Sequence, residues 1–62
     1  MDIVYYDRNN KIVKCFNGEI YHTRPFVNDT ICFDDKLFKV LSVTLDYDTN
    51  NILALVEYTN KR

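Results

Sequence analysis

Leu37-Phe38-Lys39-Val40-Leu41-Ser42-Val43-Thr44-Leu45-Asp46-Tyr47 is the longest β-prone run in the chain, and its alternation slips in the middle. Phe38 and Val40 are in phase, Val43 and Leu45 are in phase, and the two pairs are out of phase with each other. One extra residue near Leu41-Ser42, a β-bulge, puts all four on one face and bends the strand sharply. Bent strands let a short antiparallel sheet curl on itself.

Reading outward, Val, Ile, Thr, Tyr and Phe recur in short runs separated by Asn and Asp clusters, and no segment keeps a helical period for three turns. Towards the N-terminus, Asp34-Asp35-Lys36 makes a tight turn after Thr30–Phe33, whose Ile31 and Phe33 share a face. Arg24-Pro25-Phe26-Val27-Asn28-Asp29 reads as a loop, because Pro25 cannot donate to a ladder and holds Arg24 extended. Asn17-Gly18 favours a type I′ hairpin between Lys11–Phe16 and Glu19–Thr23, with Cys15 facing Ile20 and Val13 facing His22. The first run, Ile3–Asp7, ends at Arg8-Asn9-Asn10. On the other side, Asp48-Thr49-Asn50-Asn51 turns into a last strand, Ile52–Tyr58, before a charged tail. Ile52-Leu53-Ala54-Leu55-Val56 is apolar on both faces. Either barrel closure pairs it with the first strand, or its outer face meets another chain.

These runs resemble a five- to six-stranded antiparallel meander of the SH3-like small-barrel type, best over Arg24–Tyr58. The expected fold is all-β, a single small barrel domain over residues 1–62. The resemblance lies in architecture and implies no ligand.

The chain has 62 residues, 8 basic and 9 acidic side chains and a formal charge of -1, which gives it no broad basic footprint for nucleic acid or anionic membranes. Its first seven residues carry an acid at position 2 and no basic lead. No stretch approaches the roughly 20 apolar residues of a membrane span. The expected location is the cytoplasm, where Cys15 and Cys32 stay reduced. Each lies in a β-favouring run and is expected to pack in the core.

Little here points to chemistry. His22 is the only histidine, two ladder pairs from Cys15, which is roughly 7 Å and too far for a thiolate–imidazole hydrogen bond. Asp7, Asp29, Asp34, Asp35, Asp46 and Asp48 all fall at or beside turns, where a carboxylate bonds nearby backbone. Asp46-x-Asp48-x-Asn50 lacks the glycine and glutamate of a calcium loop. No catalytic residue, metal or cofactor is expected.

The positive signal is apolar surplus. Five Tyr and four Phe accompany many Val, Ile and Leu, whereas a barrel this short holds about 12 to 15 interior side chains. The rest must lie outside, where aromatic clusters act as interface hot spots. The expected function is a non-enzymatic protein-binding module, with Tyr5, Tyr6, Phe26, Tyr47 and Tyr58 facing a partner and Leu53 and Leu55 in self-association as a homodimer. Seven Asn against one Gly and one Ala suggest coding by an AT-rich genome and an inhibitor or adaptor of a phage or mobile element. One alternative is a nucleotide or single-stranded nucleic-acid binder using Tyr6, Lys14, Tyr21 and Arg24, the basic residues Arg8, Lys11, Lys14 and Arg24 all lying in the first 24. Another is a structural component of a phage assembly.

Overall fold

The computed structural model describes residues 2–18 and 24–62. Among these, five strands form one sheet: β1 (Asp2–Tyr6), β2 (Ile12–Phe16), β3 (Thr30–Phe33), β4 (Lys36–Asp46) and β5 (Asn51–Lys61). The sheet order is β2-β1-β5-β4-β3, curled into a half-barrel consistent with a small SH3-like barrel, with no helix among the described residues. Among the described residues no helix is long and apolar enough to cross a membrane. The Asn17-Gly18 hairpin, its return strand, Tyr21 and His22 lie at or beyond the boundary of the described residues; Gly18 itself has φ 55° and donates its N–H to the Asp2 carboxylate at 3.0 Å.

Short polar turns set the strand lengths. Between β1 and β2, Asp7 Oδ1 accepts the N–H groups of Asn9 (2.9 Å) and Lys11 (3.0 Å), and Asn10 takes φ 61°. Between β3 and β4 the two-residue link Asp34-Asp35 has φ of 52° and 64°, as a type I′ turn requires. Between β4 and β5, Asp46 Oδ1 accepts from Asp48 N (3.1 Å) and Thr49 N (3.3 Å), and Asn50 sits at φ 59°. Asp29 Oδ2 likewise accepts from Phe26 N at 3.0 Å and fixes the loop before β3.

β4 carries the bulge that its phase slip requires: the β4–β5 register shifts between Val40 and Ser42. Phe38 and Val40 are buried, and Val43 packs half-buried on the same side. Leu45, opposite Ile52, is in phase with them but 38% exposed, because it sits at the open end. The same face receives Ile3, Tyr5, Ile52, Ala54 and Val56, and half-buried Val13, Phe16, Ile31 and Phe33 complete the core. Phe33 touches Tyr5, Phe16 and Phe38 with ring centroids 4.8, 5.8 and 5.8 Å apart. Since β2 and β3 are the two edges of the described sheet, the Phe16–Phe33 contact draws opposite edges together.

β5 pairs with β1, as closure demands, but the pair is parallel within an otherwise antiparallel sheet. β5 also continues through Lys61, opposite Lys36, where a tail was expected. Arg62 N then donates to the Asp35 carbonyl at 2.7 Å. The cysteines correct another expectation. Both are free and exposed, because strand alternation assigns the core positions to their neighbours Phe16, Ile31 and Phe33. Cys15 Sγ donates to Asn17 Oδ1 at 3.1 Å, and Arg62 Nη1 reaches Cys32 Sγ at 3.8 Å.

Candidate functional site: exposed aromatic and apolar surfaces

Tyr5 and Tyr6 are adjacent on β1 and must face opposite sides of the sheet. Ile3 is a core residue, so the alternation carries Tyr5 inward, where it is 5% exposed. Tyr5 is therefore a core ring and not a partner contact. Burial raises its phenol pKa, and the nearby Asp29 carboxylate raises it further. Tyr6 lies half-buried on the outer face.

Phe26, Tyr47 and Tyr58 are the large rings left in the open among the described residues, at 57%, 81% and 54% exposure. Two of them gather at one end of the half-barrel. The Arg24 guanidinium lies 5.4 Å from the Phe26 ring centroid, within cation–π range. Arg24 also lines a cleft of about 250 Å³ with Leu45, Asp46, Tyr47, Asn51 and Ile52. Arg24 thus meets the loop ring and shares a cleft with the ring of the β4–β5 turn. Val27, next to Phe26, is itself 52% exposed. Pro25 is buried, which anchors the loop that carries these groups.

Tyr58 belongs to a different region. Its ring meets Phe38 edge-on at 5.8 Å, and the two share a shallow cleft with Lys36. Lys36 and Phe38 also line a cleft of about 240 Å³ with Ile12, Val13, Phe33 and charged groups of both signs. That second cleft follows the seam between the sheet edges, beside the Lys14–Asp34 ion pair at 3.9 Å.

The third surface is the outer face of β1 and β5. Leu53 and Leu55 fall here, opposite Val4 and Tyr6 in the parallel register. All four are half-buried, while the inward members of β5 are fully covered. The strand that is apolar on both sides therefore has both closure and an uncovered face.

The residues of the nucleic-acid alternative are not assembled. Tyr6 is on the outer face, Lys14 is opposite Tyr5 on the other face and paired with Asp34, and Arg24 serves the far cleft. Tyr21 lies outside the described residues. No group of three or more His, Cys, Asp or Glu that could hold a metal occurs among the described residues. Sequence reasoning missed the junction role of Arg24 and the exposure of Val27 and Ile12. A register shift between Tyr5 and Tyr6 sends Ile12 outward.

No family model, curated protein or solved structure matches the chain.

Proposed function

We propose that this chain is a non-enzymatic protein-binding module whose contact surface is the Arg24–Phe26–Tyr47 end. The observation that supports this reading is a guanidinium that meets one wide-open ring, Phe26, and shares a cleft with another, Tyr47. Aromatic rings and arginine are the side chains enriched at interface hot spots, since they offer large contact area with few rotatable bonds or a planar donor fork. Among the described residues twelve side chains form the core or pack against it, and Phe26 and Tyr47 are not among them. The composition, seven Asn against one Gly and one Ala, suits an AT-rich genome and so a phage or mobile-element product that acts as an inhibitor or adaptor on a host protein.

The test compares proteins retained from host lysate by the immobilised wild type and by a Phe26→Ser/Tyr47→Ser variant. The expected result is a saturable protein band that the variant loses while its circular dichroism is unchanged. Identical retention by both would end the proposal. Oligonucleotide binding that tightens as salt falls would favour the nucleic-acid alternative instead.

A further inference from the structure

The outer face of the sheet has a charge pattern that runs along the strands. At one end Asp2, Asn51 and Asp46 lie side by side across β1, β5 and β4. The next two rows on this face are Val4–Leu53–Thr44 and Tyr6–Leu55–Ser42, and neither carries a charge. Beyond them come Glu57 opposite Lys39, and the β1–β2 turn with Asp7, Arg8 and Lys11, of which Asp7 and Lys11 also line the seam cleft. The first end is therefore acidic, the centre neutral and apolar, and the far end mildly basic. Arg24 offsets one acid at the first end, and Asp7 and Glu57 offset two of the bases Arg8, Lys11 and Lys39 at the far end, which leaves one net charge of opposite sign at each.

We propose that this face binds a second copy of the chain, with the β1 and β5 strands of the two copies antiparallel. Two-fold symmetry makes the same patch serve both partners. With the axis in the plane of the interface and across the strands, the Val4–Leu53 row of each copy meets the Tyr6–Leu55 row of the other. The same operation lays the acidic end of each copy over the basic end of the other. The competing two-fold, along the strands, brings acid to acid and base to base and is rejected by repulsion. An uncharged centre inside a charged rim is also the ordinary anatomy of an interface. The centre of this surface, Val4, Tyr6, Leu53 and Leu55, is separate from the Arg24–Phe26–Tyr47 end and adjoins it only at Asp46 and Asn51, so variants at Leu53 and at Phe26 and Tyr47 test the dimer and the partner contact separately.

Sedimentation velocity from 1 to 200 µM on the full chain tests the idea, at 50 and 500 mM NaCl. The expected result is a monomer–dimer equilibrium whose Kd rises about threefold at the higher salt, as screened rim charges require. Leu53→Lys raises Kd by more than about tenfold, the loss typical of a central interface side chain. Thr44→Arg, on an exposed position of the same face, does so as well and keeps the test intact if the leucine variant unfolds. A monomer at every concentration, a dimer indifferent to Thr44→Arg, or one that tightens with salt would overturn the proposal.

Discussion

Single aspartates do much of the local organisation, and Asp7 shows how. Its Oδ1 accepts two backbone N–H groups, and its own backbone exchanges bonds with Asn10 and Lys11. Asp7→Ala leaves both donors to water and frees the turn. Each bond contributes about 1 kcal/mol, so a loss of about 1 to 2 kcal/mol is expected by urea denaturation. Tyr5 offers the other residue-scale test. Its phenol is held neutral by burial and by the Asp29 carboxylate, so its pKa is raised in the folded chain. Between the unfolded value near 10 and the raised folded value, the native state holds the extra proton. The Tyr5 contribution to stability is therefore fully present below about pH 10 and is lost as pH climbs past it. Thermal melts from pH 8 to 11 should show a steeper decline for wild type than for Tyr5→Phe, whose ring has no proton to lose. The turn role of Asp7 was legible in sequence, because Asp before Asn-Asn has a local mechanism. The inward turn of Tyr5 was not, because two adjacent tyrosines look alike until a neighbour such as Ile3 fixes the phase.

Among the elements, the β3–β4 hairpin places L-residues in a backbone region they resist. Asp34 and Asp35 both have positive φ, within a two-residue link that pairs Phe33 with Lys36. Asn-Gly suits the same geometry, since Gly meets no Cβ penalty there and Asn tolerates it better than most residues. Replacing Asp34-Asp35 by Asn-Gly should stabilise the chain by about 0.5 to 1 kcal/mol, the left-handed penalty less the added entropy of unfolded Gly. A rise in the thermal midpoint reads this out, and no change would mean that the turn is held by something other than its own dihedrals. The β4 bulge was legible for a related reason: an out-of-phase pair of apolar residues has one economical solution. The direction of β1 against β5 was not. Parallel and antiparallel neighbours bury the same alternate residues, so the side-chain pattern carries no sign of strand direction. Exposed Cys15 and Cys32 were misread because residue type was weighed above phase, and Phe16 and Phe33 are the larger core occupants next door.

For the molecule as a whole, the question is what holds the curl. β2 and β3 lie at opposite edges of the described sheet, yet the chain brings them to one seam with two kinds of contact. Phe33 reaches across to Phe16 and to the core rings Tyr5 and Phe38, while Lys14 reaches Asp34. The ion pair is 3.9 Å long between groups 39% and 75% exposed, so it is well screened and contributes at most about 1 kcal/mol. The aromatic group acts on apolar area and ring geometry, and a buried Phe→Ala change costs about 3 to 5 kcal/mol. Phe33 is only half-buried, which places Phe33→Ala near the lower end of that range. A chain this short has about 3 to 5 kcal/mol of stability from its core, so losing Phe33 removes most of it. The prediction is a hierarchy: Asp34→Asn leaves the urea midpoint almost unchanged, Phe33→Leu lowers it moderately, and Phe33→Ala abolishes cooperative unfolding at 37 °C. If Asp34→Asn proved the more damaging, charge and not ring packing would close the half-barrel. Because the face outside β1 and β5 lies away from this seam, a second copy bound there would raise the stability of all three variants together without altering their order.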